Sequence, residues 1–364
     1  MSKPLYDAVV PQARAQGASP PVRLQRIGLT RVVFSLSILV VLAVFLLPFA
    51  YGIVTALKSD AQLSAPSSPL LPSSAQSFEW NGQSYDVYRV PMPDGTTRSL
   101  ALVEKGRERS RFVDPANPAG GLIEWQGAWR TLRVAWRLDP QWLNFPAAWK
   151  SIDFFRLLMN TIIYAVTSTL GMVCSSALVA YGFSRFNFPA KGAAFMVLMA
   201  TIVLPPSVTL IPTYSFFFSI HWIGTWLPLI VPAFFSNAYN VFLLRQFMMG
   251  VPRELDEAAK IDGAGPFRTF LSIIVPQTVP ALVVVALFHF FFRWNDFLGP
   301  LIYLAGKPEM LPISIGLTKF YNMYARLPNL VQAAALISTS IPFCIFLFAQ
   351  RYLMQGIVVT GVEK

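Results

Sequence analysis

Residues 253–265 read RELDEAAKIDGAG and set six charged side chains, Arg253, Glu254, Asp256, Glu257, Lys260 and Asp262, on a short segment between two long apolar runs. Glu254, Asp256 and Glu257 fall in the first turns of a helix that Pro252 can begin. A proline at the first helical position forfeits no hydrogen bond, and acids suit the positive end of the helix dipole. Gly263 ends this helix. Leu255, Ala258, Ala259 and Asp262 follow one another at i, i+3, i+4 and i+7, so one face carries two methyl groups flanked by carboxylates, and Lys260 can pair with Asp256 at i,i+4. A face so small is suited to close approach by a partner and not to burial in its own chain. After Gly263-Ala264-Gly265-Pro266 a second helix starts, and Pro276 and Pro280 mark its passage into the next apolar run. A solvated connector helix would carry the same charges, and spacing alone leaves both readings open.

Other chemistry-bearing residues sit inside apolar runs, where polar groups are expensive and point to function. Asn237 and Asn240 lie in one run, and Arg293, Trp294, Asn295 and Asp296 near the outer end of another. They can line a path, or Arg293 and Asp296 can pair at i,i+3 while the asparagines join helices. His289, one turn before Arg293, reads as a packed imidazole in preference to a proton relay. His221 and His289 have no neighbouring carboxylate cluster, so no catalytic constellation is formed. Cys174 and Cys344 lie in apolar runs and read as buried thiols, without a disulfide framework or metal site. No G-x-x-x-x-G-K-[ST] loop is present, so the chain does not bind ATP in the P-loop manner.

The elements that must position these residues follow from composition. Of 364 residues, 54% are hydrophobic and 13% charged, where a soluble domain carries roughly 25% charged. This is a membrane protein. A spanning helix needs about 20 mostly apolar residues, and six candidates run over 32–57, 157–182, 195–218, 226–249, 277–298 and 333–353. The first, after a basic arm (1–31), reads as a retained anchor and not a cleaved signal. Pro205-Pro206 should unwind or kink the third span. Counted over the arm, the short loops and the tail, thirteen Lys and Arg fall on one side of the membrane and three on the other, which places both termini in the cytoplasm.

The long segment 58–156 falls outside by alternation. A Pro/Ser-rich linker (61–75) precedes strand-like runs with hairpin turns at Asn81-Gly82 and Asp94-Gly95, which predicts a small β-rich extracytoplasmic domain. Its twelve basic and ten acidic residues nearly cancel, so the net charge of +11 resides mostly on the cytoplasmic arm and loops, facing anionic lipid and not nucleic acid.

The pattern Glu257-Ala258-Ala259, Gly263, Ile273, Pro276 resembles the EAA loop of the permease subunits of binding-protein-dependent ABC importers; Val275 stands where that pattern usually has leucine. ALVAYGFSRFNFPAKG (177–192), IVLPPSVTLIPTY (202–214), FLLRQFMMGVPRELDEAAKIDGA (242–264), FRWNDFLGPLIY (292–303) and QRYLMQGIVVTGVEK (350–364) look like the maltose-type sugar permeases, on the MalG-like side of the pair. The segment 58–156 is longer than simple members carry.

The resemblance implies an all-α polytopic membrane protein of the type I ABC importer permease kind, with six transmembrane helices and the inserted small β-rich extracytoplasmic domain. It would comprise a basic arm (1–31), first helix (32–57), outer domain (58–156), five-helix core (157–354) containing the cytoplasmic coupling loop (245–272), and cytoplasmic tail (355–364). Its place would be the bacterial cytoplasmic (inner) membrane, multi-pass. Its partners would be a second, MalF-like permease subunit, two ABC ATPase subunits that bind the ATP and Mg, an extracytoplasmic sugar-binding protein, and membrane lipid.

On that resemblance the coupling residues are Leu255, Glu257, Ala258, Ala259, Asp262 and Gly263, with the tail also reaching the ATPases. The cargo path draws on Asn237, Asn240, Trp294, Asn295 and Asp296, since sugar needs hydroxyl partners and aromatic faces. The loop 306–329 corresponds to the one that enters the binding protein, or is an ordinary surface loop. The cargo would be a carbohydrate, a di- or oligosaccharide such as an α-glucoside, with a polyol or glycerol phosphate compound as the alternative. An ion-coupled secondary transporter is the competing class, against which stand the lack of a mid-span acid beyond Asp296 and the lack of an inverted repeat.

Overall fold

The computed structural model describes residues 29–323 and 327–358. Most of the basic arm (1–31), residues 324–326 of the outer loop and the end of the tail (355–364) lie outside the described residues. The chain divides into two units, Met1–Phe49 and Ala50–Lys364. Helix α1 (Leu29–Ala56) carries exposed apolar side chains throughout its first unit, Phe34 and Phe45 among them, as a helix with lipid for solvent does.

Among the described residues of the segment after α1, eight strands form: β1 (Ser73–Ala75), β2 (Ser77–Trp80), β3 (Gln83–Pro91), β4 (Thr97–Glu104), β5 (Arg109–Val113), β6 (Leu122–Gln126), β7 (Arg133–Val134) and β8 (Trp136–Leu138). β2 to β6 pair antiparallel in chain order, β7 adds to β3, and β1 pairs with β8. Asn81 and Gly82, both at positive φ (51° and 77°), make the two-residue turn that sets Trp80 opposite Gln83. Gly95, at φ 78°, completes the β3–β4 turn, where the Asp94 carboxylate accepts from the Thr96 N–H. Tyr88, Val90, Leu100, Leu102 and Phe112 form the core on one face, and Val87, Ala101, Val113 and Ala135 that on the other.

The Pro/Ser-rich stretch is not a free linker. Gln62, fully buried, donates from Nε2 to the carbonyls of Pro69 (2.9 Å) and Leu71 (2.7 Å) and accepts from the Ser73 N–H (2.9 Å). One amide thereby satisfies three backbone groups that a loop without regular structure leaves open.

The helical core is built on α2 (Phe154–Arg185), whose buried side chains recur at three- and four-residue spacing from Leu157 and Leu158 through Thr161, Tyr164, Ala165 and Ser168 to Ala180. Then follow α3 (Lys191–Ala200), α4 (Pro206–Ser219), α5 (Ala238–Gly250), α6 (Glu254–Ile261), α7 (Val279–Trp294) and α8 (Pro328–Val358). Among the described residues four stretches are long and apolar enough to cross a membrane as they stand, Arg31–Ala56, Phe154–Arg185, Leu227–Gly250 and Pro328–Tyr352. Two further pairs pass the same test only together: Lys191–Val203 with Pro206–Ser219, bent by 100°, and Pro266–Gln277 with Val279–Trp294, bent by 79°.

The first bend falls where Pro205-Pro206 predicts it. Leu204 is driven to extended backbone by the proline that follows. The second lies at Thr278, between Pro276 and Pro280, after a wide π turn at Phe270–Ile274. The stretch read as a continuous fourth span is interrupted too: a 3-10 segment, Val231–Phe235, ends at Ser236 (φ 61°), and α5 restarts with Asn237 as its cap. Cys174 and Cys344, expected as buried thiols, are exposed on helix surfaces.

Candidate coupling and transport sites

α6 ends as the sequence predicts and begins differently. The Gly263 N–H donates to the Lys260 carbonyl (3.0 Å) and the Ala264 N–H to the Ala259 carbonyl (2.8 Å) with Gly263 at φ 76°, which is the Schellman closure that glycine makes at no steric cost. Pro252 lies outside the helix, which starts at Glu254 with Arg253 as its cap residue, and the three acids Glu254, Asp256 and Glu257 occupy the first turn. The small-residue face divides. Ala259 is buried in its own protein, whereas Leu255, Glu257, Ala258, Asp262 and Gly263 are exposed.

Asp256 does not pair with Lys260. Its Oδ2 lies 3.2 Å from the Arg185 Nε, with the two side chains 15% and 7% exposed. A desolvated guanidinium 3.2 Å away outweighs a flexible surface ammonium at i,i+4. Arg185 also donates from Nη2 to the Val251 carbonyl (2.8 Å), and the Tyr181 hydroxyl donates to the Pro266 carbonyl (3.0 Å). A cleft of about 190 Å³ opens beside these groups, lined by Arg253, Glu257 and Lys260 among others. Arg185 and Tyr181 were not singled out in the sequence. The available signal was a single arginine ending a long apolar helix, which loop counting treats only as topology.

At the other part of the core, α2 and α7 share a buried polar network. The Tyr164 hydroxyl donates to the Asp296 Oδ2 (2.6 Å), while the Arg293 Nη1 donates to the Tyr164 oxygen (2.9 Å) and to the Asp296 Oδ2 (3.2 Å). The Asp296 Oδ1 accepts from the Gly299 N–H (3.1 Å). His289 is buried, with its Nε2 2.8 Å from the Ser168 Oγ and 3.4 Å from the Arg293 Nε. The arginine Nε–H can only donate, so Nε2 is the acceptor in that contact. The i,i+3 pairing of Arg293 with Asp296 is thus present, inside a larger set that the sequence reading lacked. Tyr164 and Ser168, four apart on one span, were the signal for it.

Beside the network lies a hollow of about 400 Å³, lined by Asn237, Asn240, Tyr239, His289 and Arg293 among others. The structure brings Asn237 and Asn240 to it. The Asn237 Oδ1 accepts from the Asn240 N–H (2.9 Å), capping α5. Asn240 is 96% withdrawn from solvent (4% exposed), and among the described residues its side-chain amide makes no hydrogen bond. The other three path candidates do not line the hollow: Trp294 packs on Phe290 in the core, the Asn295 amide donates to the Phe291 carbonyl (2.9 Å), and Asp296 belongs to the network.

The outer loop is held to α2 up to Ile313. The Asn160 amide donates to the carbonyls of Glu309 (2.8 Å) and Leu311 (3.0 Å), and the Thr161 Oγ1 accepts from the Ile313 N–H (2.8 Å).

Bent pairs of apolar helices, a polar hollow among the helices and a charged helix with an exposed face describe a polytopic membrane transport component. Residues 167–358, more than half of the chain, match the family described as binding-protein-dependent transport system inner membrane component, and the chain belongs to that family. It is 28% identical over 258 residues (70% of this chain, 85% of the relative) to the osmoprotective compounds uptake permease protein GgtD of Synechocystis sp.. It is 33% identical over 211 residues (57% and 74%) to the sn-glycerol-3-phosphate transport system permease protein UgpE of Rhizobium meliloti. To the alpha-glucoside transport system permease protein AglG of the same organism it is 29% identical over 229 residues, 60% of each chain. In fold it is similar to a chain of a bacterial ABC transporter involved in the import of the acidic polysaccharide alginate, with a TM-score of 0.65 over 92% of this chain and 99% of that one, at 15% identity.

Proposed function

We propose that this chain is one permease subunit of an ATP-driven importer for a carbohydrate, a di- or oligosaccharide such as an α-glucoside, in the bacterial cytoplasmic membrane. On this reading the bent pairs are one span each, giving six, both termini are cytoplasmic, and the strands β1 to β8 stand outside. A second permease subunit, two ATPase subunits holding ATP and Mg, and an external sugar-binding protein complete the assembly.

The observation that carries the reading is α6. It is capped at its end by Gly263, anchored from behind by Arg185, and presents Glu257 and Ala258 outward. Ala258 permits close approach by an ATPase, Glu257 meets a basic or polar group there, and Gly263 allows the chain to turn away. Movement of the ATPases then carries α6 and the spans with it. In the hollow, the Asn240 amide and the Nδ2 of Asn237, whose oxygen caps α5, offer donors and an acceptor to hydroxyl groups. Trp294, Asn295 and Asp296 support this wall without touching the cargo.

A carbohydrate accords with relatives named for alpha-glucoside and arabinooligosaccharide transport. A second reading, a glycerol phosphate or polyol cargo, is favoured by the Arg293 guanidinium at the hollow and by the relative named for sn-glycerol-3-phosphate. The test is ligand binding by the companion binding protein over a panel of oligosaccharides, polyols and glycerol phosphate compounds, followed by ATP-dependent uptake into vesicles holding the assembly. Saccharide binding and uptake are expected. Selective binding of phosphate compounds would replace the first cargo with the second, and uptake driven by an ion gradient without ATP would overturn both.

A further inference from the structure

Two routes lead from α6 into the core. The covalent one runs on through Pro266–Gln277 and is interrupted by the π turn at Phe270–Ile274, by non-helical Thr278 and by the 79° bend before α7. A helix with wide turns and missing bonds flexes under load. The second route is made of side chains. Arg185 stands as an ion pair with Asp256 (3.2 Å) and donates a hydrogen bond to the Val251 carbonyl (2.8 Å), and the Tyr181 hydroxyl donates to the Pro266 carbonyl (3.0 Å). These contacts hold the residues before, within and after α6. All of them originate at the end of α2, which runs for 32 residues without a break. Further along α2, Tyr164 and Ser168 bond to Asp296, Arg293 and His289, two of which line the hollow.

We propose that Arg185 is the positioning residue that hands the motion of α6 to α2, so that α2 and not the contiguous chain is the lever reaching the hollow. The proposal rests on reading α6 as the ATPase-docking helix. A cation retained only to fix topology needs no carboxylate and no burial, whereas Arg185 is 7% exposed and faces Asp256. A desolvated pair of this kind resists sliding, because separating it leaves both charges uncompensated. The coupling is therefore carried by an element with a discrete engaged state, as transmission requires.

The assembled transporter in vesicles tests this through the variants Asp256→Asn, Asp256→Glu and Arg185→Gln, with ATP hydrolysis, cargo uptake and retention of the ATPase subunits measured together. Asp256→Asn and Arg185→Gln should keep the ATPases bound and hydrolysing while uptake per ATP falls about tenfold, within the range of a site-to-site coupling energy. Asp256→Glu should restore most of the ratio. An unchanged ratio in Asp256→Asn overturns the proposal, and so does loss of the ATPases from that variant, which would make the pair a docking support. If the unaltered chain itself retains no ATPase, the docking reading fails instead.

Discussion

The Tyr164 hydroxyl lies 2.6 Å from the Asp296 carboxylate and fastens the middle of the core to the end of α7. Asp296 thereby compensates Arg293, which would otherwise be a charge largely withdrawn from water. Asp296→Asn should lower the stability of the detergent-solubilised protein by about 3–5 kcal/mol, as breaking a buried pair from one side does. Tyr164→Phe should cost about 1.5–3 kcal/mol, the loss of a hydrogen bond to charged groups. Thermal unfolding followed by tryptophan fluorescence measures both, and equal, negligible shifts would show the network to be loose.

Asn240 has a different predicted effect, because among the described residues its side-chain amide makes no hydrogen bond. Asn240→Ala should leave the melting temperature close to that of the unaltered protein, yet raise the cargo concentration for half-maximal uptake about five- to tenfold, the equivalent of one lost hydrogen bond of about 1–1.5 kcal/mol. Uptake kinetics beside a melting curve separate the two. A variant that melts early with unchanged half-saturation would make Asn240 a packing residue.

Gly263 holds φ 76° with open space around the position where a Cβ would stand. Substitution therefore meets no clash, only the left-handed backbone cost of about 1–2 kcal/mol for a residue with a side chain. Gly263→Ala should fray the end of α6 and loosen ATPase retention, and Gly263→Asn should do so less. Retention measured by affinity recovery over a series of salt concentrations gives the ranking, and the reverse order would discount the cap.

Gln62 ties two carbonyls of the stretch before β1 and the N–H of Ser73, the first residue of β1. Gln62→Ala should expose the stretch to proteolysis and raise its hydrogen exchange, with about 1–3 kcal/mol lost for groups left unsatisfied. Protection at the Ser73 amide is the local readout, since its N–H loses its acceptor outright.

Features that depend on near neighbours in the chain were legible in the sequence. Pro205-Pro206 forces the bend in the third span, Asn81-Gly82 sets a hairpin register, and Gly263 ends α6, each through backbone chemistry that two or three residues decide. What escaped depends on partners distant in sequence. Lys260 is in the right place on the helix to pair with Asp256, but Arg185, 71 positions earlier (256 minus 185), is the cation that folding delivers to it. The same limit explains Asp296. Its helical neighbour Arg293 was visible, Tyr164 was not, and together they hold the carboxylate in a buried network. Gln62 lies in a stretch whose composition reads as a linker, because the amide that orders it is a single residue without a motif.

On the proposed function, α6 takes its motion from an ATPase through its outward face. Charge reversal at Glu257, which is exposed and is not itself the partner of Arg185, tests this. In vesicles carrying the full assembly, Glu257→Lys should insert normally, lose much of its ATPase on purification and reduce ATP-driven uptake by about tenfold or more, as reversing one charge of an interface pair does. Undiminished uptake by Glu257→Lys, together with a chain that never co-purifies with an ATPase, would contradict it.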